Sequence, residues 1–253
     1  MIKKIIINAD DFGLNSSVNK AIVESFGNGL INSTTLMANM PGFDEAVELA
    51  YKHNIINKIG IHLTLTEGQP ITTNMSKRDL FNDMHNSNIK RYKRNLFFLS
   101  KSEKEIIYNE FAAQILKLRN AGIKITHIDT HHHTHEIWTI TQLIFSLLGT
   151  YKIPSMRILN NLNQSTSYYK GGYRKLINKI IKIKGVNNTD YLGNQLEAIW
   201  QLNHDPKFFE SKRLEIMVHP DYNQSGIIID RIKDQEVNFD HTEIFRRLIK
   251  LNG

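Results

Sequence analysis

Lys4-Ile5-Ile6-Ile7-Asn8-Ala9-Asp10-Asp11-Phe12-Gly13 decides how the rest of the chain is read. Lys4–Asn8 is a short run of β-branched residues, the mark of a buried strand. Two adjacent carboxylates end it. Neighbours on a strand point to opposite faces, but at a strand end the chain turns, and both can reach the mouth of a fold. Asp is also common in turns and helix caps, so the pair alone leaves a structural reading open. The two lysines and the apolar run faintly suggest a leader peptide. The run breaks at Asn8, far short of an h-region with a cleavage site. A first strand is expected, and a cytoplasmic location by default.

Outward from this strand, helix and strand signals alternate. Asn15 or Ser16 can cap a helix carrying Val18, Ala21, Ile22 and Phe26 at helical spacing, with Gly29 after it. Strands are predicted at Ser33–Ala38, Ile59–Leu65, Ile123–Asp129, Ser155–Leu159 and Leu214–Val218. Helices are predicted from Phe43 to Tyr51, Glu103 to Asn120, Ile137 to Leu148, Tyr173 to Ile183 and Phe245 to Leu251. From Thr66 to about Leu99 the pattern dissolves into polar and basic residues, long enough for a lid or a substrate-binding insertion at about 66–100. Alternation of this kind implies a parallel sheet. At this length the leading architecture is an α/β fold, a distorted (β/α) barrel. An open doubly wound sheet is the runner-up. Both place chemistry after the C-terminal ends of strands.

The 253 residues suffice for one large α/β domain, and 1–253 is read as a single domain. With no cysteine, disulfides, thiolate metal sites and thiol nucleophiles are excluded. A metal would need His, Asp or Glu. No stretch approaches the length of a membrane span, and no membrane partner is expected. Net charge is +7, with local excess at Lys90–Arg94 and Lys170–Lys184. No zinc-finger or RNP-type pattern accompanies it, so solvated faces rather than nucleic-acid binding are expected. The helix ending at Ile183 reads as an ordinary surface helix with a basic face.

Three further strands end on polar clusters. Gly60-Ile61-His62-Leu63-Thr64 puts His62 and Thr64 on one face. Thr126-His127-Ile128-Asp129-Thr130-His131-His132-His133-Thr134-His135 holds five of the eleven histidines. Such density is hard to explain by packing, since each imidazole needs a polar partner. His127, Asp129 and His131 alternate along one side if the strand persists. Met217-Val218-His219-Pro220-Asp221 ends the last strand, with Pro220 fixing the backbone. In a parallel α/β fold these ends gather on one face. An Asp and two His with open positions suit metal-activated water.

These motifs resemble the YdjC-like carbohydrate deacetylase family, which includes chitooligosaccharide deacetylases. Asn8–Gly13 looks like its opening signature, Ser33-Thr34-Thr35 fits it, and Gly60–His62, Thr126–His135 and Met217–Pro220 follow in the expected order. The resemblance implies a deacetylase-type barrel, one divalent metal on Asp11, His62 and His131, and Asp10 as catalytic base. It also implies magnesium as the assigned metal, homodimers, and a small carbohydrate substrate, an N-acetylated chitooligosaccharide from chitin degradation. Two imidazole ligands suit Zn, Co or Ni better than Mg. His219 is the chosen general acid, with His132 and His133 as alternatives. Arg157 is placed to orient Asp10 or bind acetate, and His127, Asp129, His132 and His133 are supporting residues. The 66–100 segment and Asp221 depart from the family pattern. The rival readings are a metal-dependent phosphoesterase and a non-catalytic sugar- or metal-binding protein.

Overall fold

The structure, a computed structural model, describes residues 4–73, 99–162, 167–186, 189–205 and 207–237. Six parallel strands, ordered β4-β3-β2-β1-β6-β5, alternate with helices in the distorted (β/α) barrel arrangement expected from the sequence. They are β1 (Lys4–Phe12), β2 (Ser33–Leu36), β3 (Ile59–Leu63), β4 (Ile128–Thr130), β5 (Tyr191–Asn194) and β6 (Arg213–Val218). Internal contacts divide the chain into two compact units interleaved in sequence, 1–10 with 17–34 and 157–253, and 11–16 with 35–156.

In the first unit β1 pairs with β6 in register Ile5↔Leu214, Ile7↔Ile216 and Ala9↔Val218, and β5 pairs with β6 through Gly193↔Ile216. These apolar partners are buried and form the core here. Helix α1 (Ser16–Gly27) buries Val18, Ala21 and Ile22 as their spacing predicts. Ser155–Leu159 forms no strand ladder; Met156 makes only a bridge to Ile128, within the second unit. The reason is local. Both backbone groups of Leu159 are taken by the Asn178 side chain, at 2.8 and 2.9 Å, instead of by a neighbouring strand. A short antiparallel sheet, β7 (Pro220–Tyr222), β8 (Ile228–Asp230) and β9 (Gln235–Glu236), follows β6 and had no clear pattern in the sequence.

In the second unit β3 pairs with β4 through Ile61↔Ile128 and His62↔Asp129. The helices are α2 (Phe43–Lys52), α3 (Lys101–Asn120) and α4 (Trp138–Thr150). α3 starts on a capping box, in which Ser100 accepts from the Glu103 N–H and Glu103 accepts from the Ser100 N–H. Of the expected strand Ile123–Asp129 only Ile128 and Asp129 lie in β4, which runs on to Thr130. Its earlier part still bonds to β3, through Thr126 N–H to Ile59 O and Ile61 N–H to His127 O. Gly60 permits this approach: a Cβ there would stand 2.5 Å from the His127 ring. The remaining helices are α5 (Tyr168–Ile183) and α6 (Gln195–His204), both in the first unit. α5 begins five residues before the predicted start, and β5 and α6 were not predicted. The expected 66–100 insertion and the closing helix Phe245–Leu251 lie largely or wholly outside the described residues.

Candidate metal centre and acid–base cluster

β1 runs on through both aspartates to Phe12, rather than breaking at Asn8. Burial of Phe12 and paired carboxylates let the strand continue. Asp11 has φ +71°, uncommon for a residue with a side chain, and its carbonyl accepts from Leu14 N–H in the turn that follows. Gly13 completes that turn at φ +88°, where a Cβ would meet Met37 O at 3.0 Å.

In the second unit three strand ends converge. Asp11 Oδ1 lies 3.2 Å from His62 Nε2 and 3.0 Å from His131 Nδ1, and the two ring nitrogens are 3.3 Å apart. Ligands about 2.0–2.1 Å from one centre, at octahedral to tetrahedral angles, stand about 2.8–3.4 Å apart. The observed triangle fits that spacing on every edge. Carboxylates behind the rings set their tautomers. His62 Nδ1 donates to Asp129 Oδ1 at 2.7 Å, while Thr35 Oγ1 donates to Asp129 Oδ2 at 3.1 Å. His131 Nε2 donates to Glu67 Oε2 at 2.8 Å. In its neutral form each ring therefore turns a lone pair into the triangle, towards a third anionic donor. Only a cation or a proton relieves that arrangement.

The electrostatics agree. Burial pushes the Asp11 carboxyl up, but hydrogen bonds and charge from His131 and His62 outweigh it and hold it well below the usual carboxylate range. Burial lowers His131, but Asp11 and Glu67 outweigh it and raise the imidazole. Two imidazole nitrogens and one carboxylate oxygen form a donor set suited to zinc, cobalt or nickel more than to magnesium.

The other histidines of this segment divide. His132 and His133 adopt φ +53° and +52°. His132 Nδ1 is 2.8 Å from Thr66 Oγ1, and with Glu67 and His131 it forms a second group of possible ligands. His127 is not brought into the triangle; it packs on Gly60, with Nδ1 2.8 Å from Thr126 Oγ1. His135 is buried against Thr130.

The first unit holds an acid–base cluster. Arg157, 1% exposed, grips Asp10 in a fork, Nη1 to Oδ2 and Nη2 to Oδ1, both 2.7 Å. Its Nε donates to Glu215 Oε1 at 2.6 Å, and Asn8 Nδ2 donates to Asp10 Oδ1 at 2.9 Å. Of the two uses expected for Arg157, orienting Asp10 is the contact present. His219, at the end of β6, faces two carboxylates: Nε2 is 3.9 Å from Asp10 Oδ2 and Nδ1 is 3.5 Å from Asp230 Oδ2. Burial raises Asp230, but His219 and the backbone N–H groups of Ile232 and Lys233 bring it below its ordinary value. Sequence reasoning missed Glu67 and Asp230, and saw Glu215 only as a strand residue.

A family profile described as YdjC-like protein matches residues 4–249. A protein of Brevibacillus brevis named carbohydrate deacetylase is 39% identical over 151 residues, 60% of this chain and 58% of that protein. A Clostridium beijerinckii protein of the same name is 34% identical over 232 residues, 89% of this chain and 84% of its own. A crystal structure from Enterococcus faecalis, named for cellobiose-phosphate cleavage, aligns with TM-score 0.63 at 27% identity, covering 99% of this chain and 90% of that one.

Proposed function

Because the chain belongs to the YdjC-like protein family, we propose that it is a metal-dependent carbohydrate deacetylase, hydrolysing the N-acetyl amide of an amino sugar. An N-acetylated chitooligosaccharide such as diacetylchitobiose is the substrate this reading names, and a cytoplasmic homodimer is the form. The family match over 4–249 supports treating the chain as one deacetylase domain. The observation that carries the reading is the triangle of Asp11, His62 and His131, with each histidine backed by a carboxylate.

A divalent cation held there would supply Lewis acidity to a water and to the amide carbonyl. Asp10, next in the chain to Asp11, serves as base. Arg157 fixes the plane of its carboxylate. Asp10 accepts a proton as the water oxygen bonds to the carbonyl carbon. His219 Nε2 then gives a proton to the amine nitrogen as the C–N bond breaks, leaving acetate and a free amine. Asp230 accepts from the His219 backbone N–H and stands 3.5 Å from its Nδ1, a carboxylate beside the ring.

Metal-loaded protein incubated with diacetylchitobiose should release acetate. No release from it or from other N-acetylated sugars would remove the enzymatic claim. A metal-dependent phosphoesterase is the second reading, favoured by the Glu67, His131 and His132 group beside the triangle. Metal counting separates the two: one ion per chain supports the deacetylase, and a pair about 3.5–4 Å apart supports the phosphoesterase.

A further inference from the structure

Helix α5 has a composition unlike that of a surface helix that faces only water. Its sequence, Tyr168-Tyr169-Lys170-Gly171-Gly172-Tyr173-Arg174-Lys175-Leu176-Ile177-Asn178-Lys179-Ile180-Ile181-Lys182-Ile183, carries five cations and no carboxylate. Ile177, Asn178 and Ile181 are buried and anchor it. A second apolar row lies on a different side. Tyr169, Tyr173, Leu176, Ile180 and Ile183 recur at alternating steps of four and three, which keeps them in one line along a helix. Tyr169 is 88% exposed, Leu176 56% and Ile183 73%, with Tyr168 beside them at 91%. Tyr173 and Ile180, half-buried, link these exposed positions. Single exposed apolar residues are ordinary, but several aligned on one helix face mark an interaction surface.

Lys175, Lys179 and Lys182 flank this row on one side. Beside them lies a cavity of about 750 Å³ lined by Asn160, Asn161, Arg174, Lys175, Lys179 and Lys182 among others. Gly171 and Gly172 also line it, and a Cβ at either would meet nothing within 4 Å. Glycine in a helix costs stability relative to alanine.

We propose that α5 docks on an anionic lipid surface, its Tyr169–Leu176–Ile183 row entering the headgroup boundary while the basic cavity receives a lipid phosphate. The charge complementarity identifies the partner. A second copy packed antiparallel would oppose lysine to lysine and a parallel one would leave the lysines without an anionic partner, whereas an anionic bilayer matches both the cations and the apolar row. Lysine stems reach along the apolar row and keep their ammonium groups at the headgroups. This contact lies on the surface. Among the described residues no helix is long and apolar enough to cross a membrane.

Vesicle co-sedimentation of the full chain tests the proposal. The protein should pellet with phosphatidylcholine vesicles containing about a third phosphatidylglycerol, not with pure phosphatidylcholine, and high salt should weaken the binding. Lys175→Glu/Lys179→Glu and, separately, Leu176→Ser/Ile183→Ser should each reduce binding roughly tenfold or more. Both should leave the melting temperature and acetate release from a soluble substrate unchanged. Equal binding to both vesicle types would overturn the proposal, as would binding that survives Leu176→Ser/Ile183→Ser, which would indicate charge attraction alone. A change of oligomeric state in that variant with vesicle binding intact would assign the row to a second copy instead.

Discussion

Arg157 shows what one residue can decide. Its guanidinium is removed from water and survives there because three of its nitrogens donate to Asp10 and Glu215. Removing one partner of such a group leaves uncompensated buried charge. Arg157→Ala should lower unfolding free energy by on the order of 3–5 kcal/mol in urea titration. Arg157→Lys keeps the charge but loses the fork, so it should fold better than the alanine variant and still lose most deacetylation rate. The residue types of the site were legible: an Asp pair and histidines at strand ends have little reason to recur by chance. Their partners were not. Glu67 meets His131 across 64 positions and Glu215 meets Arg157 across 58. No local pattern marks a lone acid for such a pairing.

At the scale of elements, periodicity worked where one face alone is buried and failed where side chains satisfy the backbone. α1, α2 and α4 carry clean apolar spacing and match their predicted bounds within about two residues, within the scatter of helix assignment. β1 outran its prediction because Arg157 pairs with Asp10 in a fork, so a buried polar residue does not end that strand. Ser155–Leu159 read as a strand, but Asn178 displaces the neighbour it would have bonded to. The contact of β3 with the His127 segment depends on one missing side chain. Gly60→Ala would place a Cβ 2.8 Å from the His127 carbonyl oxygen. It should cost about 1–3 kcal/mol of stability through overpacking, read as a lower melting temperature, and should weaken metal affinity by shifting β3.

For the whole molecule, metal binding and stability are linked. A cation that binds the folded chain alone stabilises it by about 2.7 kcal/mol at a hundred times its dissociation constant. Zinc, cobalt or nickel should raise the melting temperature, and Asp11→Asn should abolish most of the rise. The pH dependence has a definite sign. His131 is raised above 6.5, so in the metal-free chain its proton stabilises the fold at low pH, and that contribution is lost as pH rises through the folded value. The metal must displace this proton, so its thermal increment should grow as pH rises through that range and shrink below it. A pH-independent increment would place the metal elsewhere. Read alone, the sequence determined the α/β class, the strand ends where carboxylates and imidazoles gather, and the family, because buried strands and clustered imidazoles leave short-range marks. Only the tertiary structure decided which nitrogens face Asp11, which carboxylates stand behind them and how Arg157 holds Asp10. Those choices depend on strand register and long-range pairing, and neither is written in any window of neighbouring residues.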